Sequence, residues 1–307
     1  MDVHQLQYFV AALDHGSVNA AAQRLGVAQP TVSQAIRGLE RELGTALFHR
    51  IGRGMVPTSA GHALASPARQ VLRGVTAAGH AALGVAGRVR GTLELAALPS
   101  MAGPALTGLI ARFCEHHPCV DVAIDDVPDE AGIVPLLRSG SSELVVTHLP
   151  AQLSLDPDGG ERPLETLELG RQQYCIALPP DRAELVPDRD PLGWHELPDV
   201  PQVIVPGGGS HAGEIVRAMA RAGRNPAPVA VVEQREARLS FVLAGVGASF
   251  VERGQAQHAR ERGAIVRSLD PPLSRAFGLV YDPRTVSEAG AAFVGLARST
   301  GYGAPAV

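Results

Sequence analysis

Leu6, Phe9, Val10 and Leu13 recur at i, i+3, i+4 and i+7, the spacing that gathers apolar side chains on one face of a helix. Gly16 ends that helix, Ser17 is a good N-cap for the next, and Val18–Leu25 is short and carries alanine at positions 20, 21 and 22. Small residues there let another helix come close. Gly26 and Val27 make a tight turn, and Gln29 and Pro30 open a third helix with proline in its first turn, where the missing N–H costs little. In that helix Val32, Ile36, Leu39 and Leu43 point to a core, while Pro30, Ser33, Gln34, Arg37 and Arg41 lie on or near the opposite face. From Ser59 to Gly87 the apolar positions are Leu64, Ala68, Val71, Val75, Ala78, Ala82 and Val85. Their alternating steps of four and three are the seam of a coiled coil. Thr58 or Ser59 can cap its start, and Pro67 inside it predicts a kink or a broken turn. Gly84, Gly87 and Gly91 mark a hinge into the next domain.

Beyond the hinge the period changes. Gly91–Leu98 alternates as a strand, Leu106, Leu109, Ile110 and Phe113 define a helix that His117–Pro118 ends, and Val120–Ile124 is a second strand. Residues 130–139 read as a helix and Glu143–Thr147 as a strand. A second set begins near 163. Its strands are at Tyr174–Leu178, Val203–Val205, Val229–Val232 and 245–251, with helices at His211–Ala222 and Ala237–Ala244. A strand at Phe277–Tyr281 and a helix at Val286–Arg298 close the chain. Alternating strands and helices predict a parallel α/β sheet.

Composition narrows the class. The chain has 307 residues, room for two or three domains, and its 45% hydrophobic and 19% charged residues exclude a disordered chain. No apolar run is long enough for a membrane helix, and the start lacks the basic and apolar regions of a signal peptide, so a cytoplasmic location is expected with no membrane partner. Charge is uneven. Residues 1–90 hold nine arginines against four acidic residues; the remainder holds eighteen against twenty-seven. A basic segment on an acidic body suggests a nucleic-acid-binding module attached to something else.

The outer face of the third helix fits that suggestion. Gln29, Pro30, Thr31, Ser33, Gln34 and Arg37 are side chains of the kind that contact base edges and phosphates, on a helix that follows a short helix and a tight turn. After Gly44, Leu47 and Phe48 complete a small core, and Arg50 and Arg53 flank a Gly-rich turn that reads as a phosphate-contacting wing. The run from Leu6 to Gly61 resembles the winged helix-turn-helix of LysR-type transcriptional regulators. Phe9, Gly16, Ser17, Ala20, Ala21, Leu25, Gln29, Pro30, Ser33, Ile36, Leu39, Glu40, Leu43, Gly44, Leu47, Phe48, Arg50, Thr58 and Gly61 carry the likeness. Asn19 and Pro57 depart from it. GTLELAALPS, ARFCEHHPCVDVAI, LLRSGSSELVVTHLP and LAGVGASFV are similar to the effector domain of the same family.

The resemblance implies an α+β multidomain chain with an N-terminal winged helix-turn-helix over 1–58 and a dimerising linker helix and hinge over 59–90. A two-lobed α/β periplasmic-binding-protein-like effector domain would span 91–307, with lobe one at 91–162 plus 268–307 and lobe two at 163–267. It implies binding to double-stranded promoter DNA, assembly into a dimer and a tetramer, contact with RNA polymerase, and a small-molecule effector in the cleft. Helix N-termini converging there favour an anion such as a carboxylate. By position, Ser100, Met101, Thr147, His148, Ser210, His211 and Phe250 would line the cleft, with Asp129 and Glu130 as weaker candidates.

No metal and no cofactor are expected. Cys114, Cys119, His116 and His117 do not have the spacing of a zinc site, and Gly207–Ser210 is followed by no lysine, so it is not a phosphate-binding P-loop. No motif of a nucleophilic hydrolase or zinc protease occurs, and the chain is not expected to be an enzyme. Cys114 and Cys119 read as buried structural cysteines; a redox-sensing regulator using that pair is the alternative within the family. A solute-binding protein of the same two-lobed fold is the alternative outside it.

Overall fold

The computed structural model describes residues 1–51, 54–82, 89–127, 129–151, 164–204, 210–225, 227–232, 234 and 236–300, with the side chains of 80–82 and 210–212 excepted. Three helices come first: α1 (Val3–His15), α2 (Val18–Leu25) and α3 (Gln29–Leu43). Asp2 caps α1 with a reciprocal bond to Gln5, and the Ser17 hydroxyl accepts from the Ala20 N–H at 3.1 Å to cap α2. A two-stranded antiparallel ribbon comes next, β1 (Phe48–Ile51) and β2 (Gly54–Pro57), the described part of the wing. Phe9, Ala12, Ala21, Val32 and Leu39 form the head's core, closed by Leu47 and Phe48. Leu43, expected in that core, is 41% exposed, because α3 ends there at Gly44.

Helix α4 (Ser59–Ala82) starts at a cap made by Thr58, whose hydroxyl accepts from the Gly61 N–H at 3.0 Å. It runs through Pro67 as one continuous helix, so the expected broken turn is absent. The heptad seam divides. Leu64 and Ala68 pack into the head's own core, whereas Val71 and Val75 are exposed. Ala82 and Val85 are outside the residues whose side chains are described.

The body holds β3 (Gly91–Ala97), α5 (Pro104–His116), β4 (Val120–Asp126), a 3-10 turn at Glu130–Gly132, α6 (Ile133–Ser139) and β5 (Leu144–His148), with further 3-10 segments at Pro180–Leu185 and Trp194–Glu196. The long strand β6 (Glu165–Leu178) then enters, before β7 (Leu192–Gly193), β8 (Gln202–Ile204), α7 (Ser210–Arg221), β9 (Pro228–Val231), α8 (Ala237–Leu243) and β10 (Ser249–Glu252). Helix α9 (Arg253–Glu261), β11 (Ile265–Arg267), β12 (Leu269–Asp270), β13 (Ser274–Tyr281) and α10 (Glu288–Ser299) complete it. The sheet of the first lobe has the order β4–β3–β5–β13–β6. It is mixed, not parallel as expected: β3 runs parallel to β4 and β5, but β13 is antiparallel to both β5 and β6. β13 returns from the second lobe against the direction of β5, and that reversal makes the mixture.

Strand β6 belongs to both lobes. Residues 165–173 pair with β13, and 174–178 pair with β10 and β11. Its alternation serves two cores in the second lobe: Ile176 and Leu178 face Trp194 and Phe250, while Cys175 and Ala177 face Val251 and Val266. The first lobe's core is centred on Leu93, Leu95, Phe113 and Phe293, the last two rings edge-on at 5.3 Å.

Helix α4 also touches the first lobe. Gly140, at the end of α6, has a left-handed backbone, and a side chain there would meet the Ser66 Cα at 3.2 Å. Across this junction Arg69 pairs with Asp14 of α1 and donates to the Ser139 carbonyl at 3.0 Å. Arg73 donates to Glu94 on β3 at 2.9 Å and to the Gly140 carbonyl at 3.2 Å. Burial raises the Glu94 carboxyl above the usual carboxylate range; the charge of Glu143 adds to this, and Arg73 and Arg69 oppose it.

These contacts predict two outcomes. A Cβ at Gly61 would lie 2.2 Å from the Leu47 carbonyl oxygen, so Gly61→Ala should destabilise the head by about 1–3 kcal/mol. An unchanged denaturant midpoint would show that α4 and the segment at Leu47 separate freely. A carboxylate whose folded-state value is raised costs the fold nothing below its unfolded-state value and most above the folded one, so stability falls as pH rises through that interval. Glu94→Gln should therefore melt no lower than the parent at neutral pH, with any advantage vanishing on acidification through the carboxyl's range. Thermal melts between about pH 4 and pH 8 measure this.

Candidate DNA-binding face and ligand cavity

Helix α3 presents its outer side to solvent. Gln29, Pro30, Thr31, Gln34 and Arg37 are exposed, and no side chain caps the helix N-terminus. Ser33 is different: it is buried, and its hydroxyl accepts from Arg37 at 2.7 Å while its carbonyl accepts from the same guanidinium at 3.3 Å. Its placement corrects the view of Ser33 as part of the outward face; it orients Arg37 from beneath. Glu40 ties α3 to the wing by accepting from the Leu47 N–H at 2.9 Å. Arg50 is exposed on β1; Arg53 lies outside the described residues.

In the body a cavity of about 510 Å³ opens between the lobes. One wall is the turn at Pro99–Ala105 with the start of α5; the other is the starts of α8 and α9, and the middle of β6 forms the floor with Arg171, Gln172 and Gln173. The N-termini of α5 and α9 have no side-chain cap. Arg171, Arg238 and Arg253 line the space. Arg238 is buried and donates to the Phe250 carbonyl at 2.8 Å and to Glu252 at 3.0 Å. Arg171 and Arg253 are exposed; Arg253 holds Gln173, and Arg171 holds Ser274 at 3.3 Å. Among the described residues, with Arg238 balanced by Glu252, two guanidiniums face one further carboxylate, Glu236.

Behind the floor lies a buried polar chain. Gln172 donates to the Ser100 carbonyl at 2.8 Å and accepts from the Tyr174 hydroxyl at 2.6 Å. His148 Nε2 is 3.1 Å from the Gln172 Oε1, and its Nδ1 is 3.8 Å from Glu130. Glu130 accepts from Arg275 at 3.0 Å, and Arg275 Nε lies 4.0 Å from Glu214 of α7. The chain crosses from the turn after β3, over both connecting strands, to the second lobe.

Of the residues expected at the cleft, Ser100 and Met101 line the cavity. His148 and Glu130 stand in the polar chain behind it. Thr147 is fully buried in β5, with its hydroxyl unpartnered among the described residues, and is not on the wall. Phe250 faces away, stacked on Trp194 at 5.8 Å in the second lobe's core. Asp129 caps the 3-10 turn, accepting from Ala131 and Gly132. Ser210 and His211 open α7; their side chains are not described. Arg171, Gln172, Gln173, Arg238, Glu252, Arg253 and Arg275 were not anticipated. The signal was present in the polar run Gly170–Gln173, which interrupts the apolar alternation of β6. Cys114 is exposed and Cys119 half-buried, contrary to the expectation that both are buried; Cys175 is buried, and burial raises its thiol.

A helical head with an outward polar helix and a wing, joined to a two-lobed body with a cavity at its seam, is the build of a DNA-binding protein with a ligand-binding module. Residues 3–62 match the family model described as bacterial regulatory helix-turn-helix protein, lysR family, and residues 86–301 match the LysR substrate binding domain. The chain belongs to the LysR family of helix-turn-helix transcriptional regulators. It is 31% identical over 273 residues to the HTH-type transcriptional regulator TfdS of Cupriavidus pinatubonensis, covering 88% of each chain. To IlvR of Caulobacter vibrioides it is 28% identical over 284 residues, covering 92% of each. Its fold is shared with a full-length OxyR variant from Pseudomonas aeruginosa (TM-score 0.70, 21% identity, 97% of each chain). It is shared too with full-length CbnR complexed with its target DNA (TM-score 0.58, 23% identity, 98% of this chain and 99% of that one).

Arg275→Met should cost about 3–5 kcal/mol, because it takes the guanidinium from buried Glu130. A loss below about 1 kcal/mol by denaturant unfolding would mean that Glu130 is held by its other neighbours alone.

Proposed function

We propose that this regulator binds double-stranded promoter DNA through the outer face of α3 and the wing, and that a small anionic effector occupies the cavity between its lobes. In this reading residues 1–58 read DNA, 59–90 link and dimerise, and 91–307 bind the effector in two lobes; the expected division near 163 and 268 moves to about 173 and 274, where β6 and β13 cross from one sheet to the other. The observation that carries DNA binding is the exposed row Gln29, Pro30, Thr31, Gln34 and Arg37 on a helix after a tight turn, in a segment rich in arginine. In this reading Gln34 and Arg37, the latter released from Ser33, contact base edges, and Arg50 contacts phosphate. The exposed valines 71 and 75 on α4 support pairing with a second copy. Two heads on one dimer would then meet two half-sites about one or more helical turns apart. For the effector, the supporting observation is the pair of exposed guanidiniums, Arg171 and Arg253, beside two uncapped helix N-termini.

Footprinting on the DNA just upstream of its own gene, at near-physiological salt, tests the first part. A roughly symmetric protected site is expected. Gln34→Ala or Arg37→Ala should weaken it by about 1–3 kcal/mol each, roughly 5- to 150-fold. Unchanged affinity in both would remove α3's outer face from DNA recognition. A thermal-shift panel of small carboxylates and their neutral amides tests the second part. A carboxylate at about one hundred times its Kd stabilises by about 2.7 kcal/mol. That shift should shrink in Arg171→Ala and Arg253→Ala, and an equal shift from the amide would overturn the anionic reading.

A further inference from the structure

The arginines of α4 do more than decorate a linker. Arg69 and Arg73 lie one helical turn apart, so both guanidiniums leave the same face. Arg69 reaches in two directions at once: to Asp14 at the end of α1, in the head, and to the Ser139 carbonyl at the end of α6, in the first lobe. Arg73 reaches only the lobe, meeting Glu94 at 2.9 Å, the Gly140 carbonyl at 3.2 Å and the Thr285 carbonyl at 3.5 Å. Its acceptors come from three separate parts of that lobe. Both arginine side chains are largely covered, while Asp14 keeps 41% and Glu94 35% of its side-chain surface in solvent, so the pairs are partly screened.

The acceptors are themselves fixed. Glu143, buried beside Glu94, accepts from the Glu94 N–H at 3.3 Å and from the Ser287 N–H and hydroxyl at the start of α10. The close approach of Ser66 to Gly140 leaves no room for a side chain between α4 and α6. The elements that bear these acceptors also reach the seam between the lobes. β3 carries Glu94 near its start and leads into Ser100 at the cavity; the turn at Glu130, which opens the segment ending at Ser139, belongs to the buried polar chain. An apolar junction would hold the head by area alone. Charge-assisted bonds fix an orientation and are lost together when the geometry shifts.

We propose that Arg69 and Arg73 form an ion-pair latch that holds the DNA-reading head against the first lobe, and that opening this latch changes where α3 is placed on DNA. The second half rests on the DNA-binding reading above. The latch is a contact within one chain and is distinct from the α4 face that bears Val71 and Val75.

Intrachain distances in the full-length protein test it without DNA or effector. One label goes on the exposed Cys114 of α5, in a Cys119→Ser background, and a second on Gln23→Cys of α2; labelled chains are diluted into unlabelled ones. The parent should give one short-distance population. Arg69→Ala with Arg73→Ala should add a longer population, and the charge swap Arg73→Glu with Glu94→Arg should recover more of the short one than Arg73→Glu alone. Arg73→Gln alone, which removes the guanidinium that Glu94 and the Gly140 carbonyl accept from, supplies a second variant if the double one does not fold, and it should lengthen the distance in part. A parent distribution already broad, or latch variants indistinguishable from the parent, would overturn the proposal. Footprints on the upstream DNA then separate the two readings. A latch variant should protect the same half-sites with altered spacing or bending between them. An identical footprint defeats the latch's role in placement, and no footprint from the parent defeats the DNA reading.

Discussion

Strand β6 has to satisfy two sheets at once. Over residues 165–173 it pairs with β13; from Tyr174 onward it becomes the central strand between β10 and β11. Neither lobe can shift its register without shifting the other, because a slip of one residue would turn Ile176 and Leu178 out of one core and Cys175 and Ala177 out of the other. The return strand is equally constrained. β13 carries an irregularity between Phe277 and Gly278, and Gly278 sits where any side chain would strike the Leu167 carbonyl at 2.2 Å. The pair of crossing strands is therefore the fixed reference on which the cavity is built. Its floor consists of the residues at the changeover, which belong to neither core.

That position explains the chemistry there. Side chains at the changeover have no apolar face to join, so they are polar: Arg171, Gln172 and Gln173 on β6, Arg275 on β13. Those that are buried must be paired, since an isolated charge in such a place is costly. Glu130 with Arg275, and Glu252 with Arg238, meet that demand, and the amide of Gln172 bridges Ser100, Tyr174 and His148. Such pairs add little net stability compared with packed hydrocarbon, but they accept few alternative geometries. The lobes are thereby held in a defined relation while the exposed guanidiniums remain directed to the cavity. The same logic recurs where α4 meets the first lobe, with Arg69 and Arg73 in place of apolar contacts.

The head was legible almost residue by residue. Its helices are local objects: Ser17, Gly16 and Pro30 mark ends through bonds made within a few residues, and the apolar spacing of α1 and α3 selects the buried face. The exceptions come from a helix end and from a long side chain one turn away. Leu43 stays out because α3 stops at it, and Ser33 goes under because Arg37 folds back over it. Along α4 the heptad spacing was real, but which half of the seam stays open depended on where the head's own core ended. The continuous passage through Pro67 likewise owes more to packing on both sides, at Ala65, Ser66 and Ala68, than to local preference.

In the body the order of strands and helices could be read from the change of period, since each element buries one face in a predictable rhythm. The sense of β13, the length of β6 and the existence of α9 could not. Strand direction within a sheet is settled by how the chain returns across space, and the polar run at 170–173 hides a strand whose middle lies between cores. The cavity obeyed the same division. Ser100 and Met101 were visible because a turn after a strand is a local feature. Arg238, Arg253 and Arg275 come from segments far along the chain from the residues they face on the first-lobe side. The sequence determined the family, the helices and the faces they bury, because those depend on spacing along the chain. Tertiary structure alone decided which charges meet at the seam and at the junction of α4, because pairing between distant segments leaves no periodic trace.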